Sequence, residues 1–431
     1  MLIIRQRSFT FTMPFSFIHA ADLHLDSPFA SLSQDNPELA AVLRSATFQA
    51  FDNIIQLCQD KQVDFFLVAG DVYDSADRSL RAQVRFRDGL KRLADAGIQS
   101  FVVHGNHDPL SGWSSTLEWP NGVHLFRDRL ETFSADQDGK AAALIQGISY
   151  PERDERRNLS ELFSRTSDLF HIGLLHANVG NDTGHAPYAP CSKEDLISSE
   201  MDYWALGHVH VRKILSDESP AIIYPGNTQG RNIRETGEKG CCLVHVDENR
   251  EIETEFIASD VIRWVVRDIS IDGIETEQEL INALIKACQH ISESSSGRNS
   301  IARFSLTGNG PIYSTLRSSN YLSDLLGIVQ ETGYSYSPFV WVEKIGLEAG
   351  PEIDLGDLIK KRDFLGELLK YSSDLSEDSN IIELLRDELS PLMENQRARR
   401  FLDIPDENKL KNLLKEAEKI CVQVLQHMED E

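Results

Sequence analysis

The sequence predicts an α/β domain with stacked or parallel sheets, then a compact α+β unit, then a helical C-terminal region. Three observations predict this. Short apolar runs alternate with helical patterns from residue 14 to about residue 260, as in strand-helix-strand units. The runs repeatedly end in aspartate, asparagine or histidine, often beside a turn glycine. Beyond Gly350 the pattern becomes almost purely helical and strongly charged.

Residues 1–13 read as an N-terminal extension, with Met13 a natural start just before the first strand. Phe15–Ala21 is that strand, short and apolar. Val63–Ala69, Gln99–His104, Ala143–Ile148, His171–His176 and Tyr203–Leu206 are the next strand candidates, with helical spacing over Gln49–Cys58 and Arg81–Leu93. Ala221–Tyr224, Cys241–Val246 and Ile252–Ile257 follow without helices between them and suggest a second, more antiparallel sheet. The first domain is thus expected over 14–260. A second, over 261–350, collects Trp264–Ile271, a helix at Glu277–Cys288, a Ser/Gly linker at Ser292–Gly297, and strands at Ile301–Thr307 and Phe339–Ile345. Residues 351–431 form the helical region.

Composition narrows the function. At 431 residues the chain calls for two or three domains. No apolar run approaches the roughly 20 residues that cross a bilayer. Arg5 and Arg7 precede no apolar stretch with a cleavage site, so the expected location is the cytoplasm. Six cysteines without a C-x-x-C spacing fit reduced, buried thiols. The net charge of -25 would repel a polyanion, whereas proteins that hold nucleic acid unaided show a basic face. Either the substrate is small, or a partner or bound metals bring the positive charge.

The chemistry lies at the strand ends. The first strand runs into Asp22-Leu23-His24, the next into Gly70-Asp71-Val72-Tyr73-Asp74, and the third into Gly105-Asn106-His107-Asp108. His176 ends a fourth, and Gly207-His208-Val209-His210 a fifth. Open α/β sheets place their sites at these carboxyl ends. Carboxylate and imidazole donors suit Mn²⁺, Fe²⁺ or Zn²⁺. Asp22, His24, Asp71, Asn106, His176, His208 and His210 are too many ligands for one catalytic zinc. They fit two ions about 3.5–4 Å apart, the arrangement for in-line displacement at phosphorus. Asp71 is the best bridge, since a carboxylate can give one oxygen to each ion. His19, His104, His171 and His245 lie inside strand patterns and read as core or sheet-face histidines.

The ordered set D-x-H, G-D-x-x-D, G-N-H-D, H, G-H-x-H resembles the calcineurin-like metallophosphoesterases over residues 22–210. A closer resemblance, to SbcD-type exonuclease subunits of the YhaO-like branch, rests on four stretches: Phe17–Pro28, Gly184–Pro190, Asp202–His210 and Tyr224–Arg231, where Asn227 stands in place of an expected Ser. The resemblance implies a four-layer α-β-β-α sandwich and a manganese preference. It implies one ion on Asp22, His24, Asp71 and His210 and the other on Asp71, Asn106, His176 and His208. A hydroxide generated on the ions would attack phosphorus. His107 would assist the leaving oxygen, a role that suits an imidazole. Asp108 would either orient His107 or close the turn.

The resemblance also implies exonuclease and endonuclease activity on DNA, a place in DNA repair, and a complex with an SMC-like ATPase. A homodimer is a further expectation from it. The region for the ATPase would be the C-terminal helices. From Lys409 to Glu431 a stripe of Leu410, Leu413, Leu414, Ala417, Ile420, Cys421, Val424, Leu425 and Met428 recurs at helical spacing, with only Val422 outside it. Leu355–Leu369 and Ile381–Met393 are amphipathic too. The competing class is a phosphodiesterase or phosphatase for a small molecule or phosphoprotein, since one fold and site serve many substrates.

Overall fold

The computed structural model describes residues 13–27, 37–74, 79–112, 117–180, 186–318, 320–352, 358–360 and 363–376, with Glu388, Lys409, Leu410, Ala417, Cys421 and Val422. The extension 1–12, the residues Gly184 and His185, and most of the predicted C-terminal helices lie outside the described residues. Two compact units are present: one within Met1–Arg267, Ile285–Phe304 and Leu326–Ile345, the other within Asp268–Leu284, Ser305–Leu325 and Gly346–Glu431.

In the first unit, two six-stranded sheets pack face to face. Strands β1 (Phe15–Ala20), β2 (Phe65–Ala69), β3 (Gln99–Val103) and β4 (Val123–Leu125) run parallel, with α1 (Pro37–Lys61) and α2 (Leu80–Asp95) in the crossovers. The other sheet comes from β5 (Glu131–Gln137), β6 (Lys140–Gly147), β7 (Phe170–His176), β8 (Tyr203–Gly207), β9 (Lys213–Ser216) and β10 (Ala221–Tyr224), in the order β5-β6-β7-β8-β10-β9. A short helix, α3 (Lys193–Ser198), lies between β7 and β8 in sequence and is fixed by a Ser192/Asp195 capping box.

The expectation of a separate antiparallel sheet from the later strands is corrected. β10 pairs parallel with β8 in the second sheet. β11 (Gly240–Val246) and β12 (Ile252–Ala258) instead return to the first sheet, β11 antiparallel beside β1. The physical reason is the open edge: all but one residue of β11 is buried, which either sheet would satisfy, and the free edge of β1 is the one that offers it backbone partners. Helix α1 also begins well before the predicted Gln49, at Pro37, a residue pre-set for the first helical turn. β5 and β9 escaped sequence reading because their solvent-facing residues dilute the apolar alternation.

Period-two alternation divides the strands between layers. Phe15, Phe17, Phe65, Leu67 and Phe101 point between the sheets, where they meet Ile172, Leu174, Tyr203 and Ala205. Phe17 stacks on Phe65 at 4.9 Å and meets Tyr203 edge-on at 5.2 Å. The alternate residues Ile18, Phe66, Val68 and Val102 pack under α1 and α2 against Phe51, Ile55, Phe86 and Leu90. On the far side, Leu175, Trp204 and Leu206 pack with Leu196 of α3, and the Trp204 indole N–H donates to the Leu196 carbonyl at 3.0 Å. The layers are therefore α-β-β-α, as the family resemblance implies.

Next come β13 (Ile262–Ser270), α4 (Glu277–Ser294), β14 (Asn299–Thr307), β15 (Asn309–Gly310), α5 (Tyr313–Leu316), α6 (Tyr321–Tyr334), β16 (Val340–Leu347), β17 (Gly350–Pro351) and α7 (Phe364–Ser376). Three form a sheet in the order β13-β14-β16, and β15 pairs with β17. In the second unit Val422 is buried with Leu358, Leu365 and Leu369. Among the described residues, no helix is long and apolar enough to cross a membrane.

The histidines expected to be structural are satisfied within the fold where their partners are described. His19 bridges the sheets, with Nδ1 3.0 Å from the Tyr203 hydroxyl and Nε2 3.2 Å from the Leu206 carbonyl. His171 accepts from the Thr166 N–H and faces the Leu169 carbonyl, and His245 is exposed on the sheet face. Burial pushes His19 down from 6.5 to about 3. Below pH 6.5 the unfolded chain binds this proton before the folded one does. Stability contributed by neutral His19 is therefore complete above 6.5 and lost as pH falls toward 3, by up to about 1.4 kcal/mol per pH unit. Thermal melts from pH 7.5 to 4.5 should show a flatter decline for His19→Gln, whose amide can reach the Leu206 carbonyl and does not titrate. Equal declines in variant and wild type would refute this.

Candidate metal centre

The carboxyl ends of β1, β2, β3, β7 and β8 open on one site, and its backbone is unusual. After β1 and β2 the two chains run on together: Asp22 N–H donates to Gly70 O, His24 N–H to Asp71 O, and Leu25 N–H to Val72 O, at 3.1, 3.0 and 2.9 Å. Asp22, His24, Asp71 and His208 all have positive φ (52°, 43°, 50° and 101°). Such left-handed residues cost energy and cluster where function demands a particular side-chain direction. Two glycines allow the layers to close. A Cβ on Gly105 would lie 2.4 Å from Asp71 Oδ1, and one on Gly207 would lie 1.8 Å from the Ala69 carbonyl oxygen.

The side chains converge in three overlapping groups: Asp22 with His24 and His210, His24 with Asp74 and His107, and Asp22 with Asp71 and His176. His24 Nε2 and His210 Nε2 stand 3.2 Å apart. The other nitrogen of each ring faces a carboxylate: His24 Nδ1 lies 3.1 Å from Asp74 Oδ1 and His210 Nδ1 2.8 Å from Glu235 Oε1. A carboxylate only accepts, so it favours the ring proton on Nδ1. At His210 it does so through a hydrogen bond and at His24 through charge alone, since the Asp74 contact lacks hydrogen-bond geometry. A lone pair on each Nε2 then turns toward the other ring. Burial pushes His24 down to about 3, which keeps it neutral. Two lone pairs facing at this distance repel; a divalent cation coordinated by both reverses the sign.

His176 repeats the pattern. Its Nδ1 faces the Ala69 carbonyl at 2.9 Å, and its Nε2 lies 3.1 Å from Asn106 Oδ1 and 3.4 Å from Asp71 Oδ2. Nε2 thus meets only acceptors. Burial opposes charge on this ring, but Asp71, Asp22 and the Ala69 carbonyl raise it to about 9. The surroundings attract positive charge at that nitrogen. Burial likewise opposes ionisation of Asp71, yet His176, His24 and His107 hold it well below the usual carboxylate range. Burial raises Asp22, whose two oxygens both accept the His208 N–H at 3.1 Å. The donor set of imidazoles, carboxylates and one amide, without thiolate, fits Mn²⁺, Fe²⁺ or Zn²⁺.

Not every predicted residue enters on the same terms. The His208 ring lies 5.3 Å from that of His176, and its Nε2 faces the Ala186 carbonyl at 2.9 Å. Nδ1 is then the nitrogen that can carry a lone pair. His107 sits beside His24 at 4.9 Å between rings, its Nδ1 3.0 Å from the Asp74 carbonyl and its N–H donating to Asp71 Oδ1 at 2.9 Å. The Asp108 carboxylate takes the Val72 and Gly105 N–H groups at 2.9 and 2.8 Å and pairs with His104 Nδ1 at 2.9 Å. These bonds tie Asp108 to the Gly105 turn and to the chain leaving β2.

Sequence reading missed Glu235, Arg231 and the part played by Asp74. Arg231 pairs with Asp74, and its Nη2 lies 3.4 Å from Glu235 Oε1. Burial opposes ionisation of Glu235, but His210 and Arg231 hold it far below its usual value. Asp74 lay within the G-D-x-x-D motif and Arg231 ended the Tyr224–Arg231 stretch. For Glu235 no local signal existed, because its partner is 25 residues away.

Comparison with known proteins agrees with this geometry. Residues 15–212 match the calcineurin-like phosphoesterase family, and residues 264–350 match the middle domain of metallophosphoesterase YhaO. The metallophosphoesterase YhaO of Bacillus subtilis is 38% identical over 372 residues, 85% of this chain and 89% of that protein. The DNA double-strand break repair protein Mre11 of Aeropyrum pernix is 27% identical over 52% of this chain and 56% of its own length. One component of the SbcCD nuclease of Bacillus subtilis is 33% identical over 35% of this chain and 37% of its own. With an α-β-β-α sandwich, a polar site at its strand ends and a relative matched along most of both chains, this chain belongs to the calcineurin-like metallophosphoesterases.

Proposed function

We propose that the chain is a two-metal phosphodiesterase acting on DNA, the nuclease subunit of a complex with an SMC-like ATPase. The observation that carries the metal reading is the convergence of His24 Nε2 and His210 Nε2, each with a carboxylate behind it. In this reading Asp22, His24, Asp71 and His210 hold one ion, and Asp71, Asn106, His176 and His208 the other, with manganese the expected metal. When bound, the ions would supply Lewis acidity and a lowered water pKa. The chain itself orients the phosphodiester through these ligands' fixed geometry. It delivers a proton to the leaving oxygen through His107, whose ring is held by the Asp74 carbonyl.

DNA as substrate is supported by the named repair and nuclease relatives. The partner is supported by two described residues of the predicted stripe, Ala417 and Cys421, which are exposed, although Leu410 of the stripe and Val422 outside it are buried. Exposed positions on an apolar stripe suit docking on another helix, and a partner would supply the basic path that a net charge of -25 does not.

The test is degradation of linear duplex DNA by the full chain with its co-purified partner and Mn²⁺. Intact duplexes alongside cleaved small phosphate esters would instead establish the small-molecule phosphodiesterase, the reading favoured by the acidic composition. His107→Asn should slow DNA cleavage by roughly 10²–10⁴-fold, as loss of a general acid does. It should slow bis-p-nitrophenyl phosphate hydrolysis much less, since p-nitrophenolate leaves without a proton. Equal losses on both substrates would remove His107 from that role.

A further inference from the structure

We propose that Glu235 is a positioning residue for the metal site, aiming His210 Nε2 at its ion; this rests on the two-metal reading above. All the acceptor capacity of this nearly buried carboxylate is engaged. Oε1 takes His210 Nδ1–H at 2.8 Å and faces Arg231 Nη2 at 3.4 Å; Oε2 takes the Asn227 side-chain N–H at 2.9 Å and the Arg231 backbone N–H at 2.8 Å. A carboxylate on the far nitrogen of a ligating imidazole fixes its tautomer and ring plane and makes it a better donor.

Asn227 holds His210 from both ends. Its backbone N–H donates to the His210 carbonyl at 3.2 Å, while its side chain fixes the carboxylate behind the ring. Asn227 is fully buried, and a shorter Ser at this position would not carry the amide N–H that reaches Glu235. Arg231 joins the device to the second imidazole. Its guanidinium pairs with Asp74, which faces His24 Nδ1, and also with Glu235, which faces His210 Nδ1. The series His24, Asp74, Arg231, Glu235, His210 closes around the two facing Nε2 atoms. One guanidinium thereby sets both histidines of a single ion, while the His176 side of the site is held separately by Ala69.

The experiment is calorimetric titration of the full chain with Mn²⁺, beside thermal melts without metal. Wild type should bind two ions. Glu235→Gln should weaken one of them by roughly 10–100-fold, leave the other unchanged, and melt near the wild-type temperature. If wild type binds no Mn²⁺, the two-metal reading itself fails. Two unchanged affinities in Glu235→Gln overturn only the present proposal. So does an equal loss at both sites with a lowered melting temperature, which marks a purely structural role. Should Glu235→Gln not fold, Asn227→Ser decides: it keeps the carboxylate, and should weaken the same ion by about fivefold, the worth of one hydrogen bond. Unchanged binding there overturns the proposal.

Discussion

Asp71→Asn should lower phosphodiester hydrolysis by roughly 10³-fold or more, whatever the leaving group. Asp71 is buried between histidines assigned to different ions, with Oδ2 3.4 Å from His176 Nε2 and 3.8 Å from His24 Nε2. Its Oδ1 takes the His107 N–H at 2.9 Å. Asparagine has nearly the same shape and preserves that last bond, so the fold should persist. It removes the negative charge that the proposed two-metal site shares between its ions and turns an N–H₂ toward the neighbouring imidazoles. The rate on bis-p-nitrophenyl phosphate with saturating Mn²⁺ measures the loss. Titration should show both ions weakened, unlike Glu235→Gln. Activity above about a tenth of wild type would show that Asp71 does not bridge, since a shared ligand cannot be lost at so small a cost.

Gly207→Ala should destabilise the protein by about 3 kcal/mol, the top of the usual range for overpacking. The added carbon would sit 1.8 Å from the Ala69 carbonyl oxygen and 2.9 Å from His176 Nδ1. A side-chain neighbour could rotate away, but a carbonyl in a central strand has nowhere to go. That same carbonyl holds His176, so the site would be disturbed with the fold. Urea denaturation measures the loss, with Gly327→Ala as control: nothing lies within 4 Å of a Cβ there, and the glycine stands in helix α6. The control should be neutral or slightly stabilising, because alanine is the better helix former. A Gly207→Ala protein as stable as wild type would mean that β8 and β2 do not approach as closely as described.

The strand ends were legible because catalytic ligands at open sheets must follow strands, and apolar runs closing on Asp, Asn or His betray both at once. The layer order was legible only through the family resemblance, and its physical basis is that Phe15–Ala20 and Phe65–Ala69 bury both faces, which only a sheet covered on both sides satisfies. Pairing partners were not. Cys241–Val246 carries the same buried pattern whichever sheet it joins, and its place beside β1 depends on which edge the rest of the chain leaves open.

By itself the sequence determined the chemistry on offer: which imidazoles, carboxylates and amide arrive at the strand ends, in what order, and hence the reaction class they suit. It could do so because each motif is local, a strand and the few residues after it. Tertiary structure decided how those groups are aimed. Nε2 of His24 and of His210 face one another with Asp74 and Glu235 behind the rings, and Asp108 is tied to Val72, Gly105 and His104. Imidazole tautomers and carboxylate charges are set by neighbours distant in sequence, and no local pattern encodes a neighbour that only folding supplies.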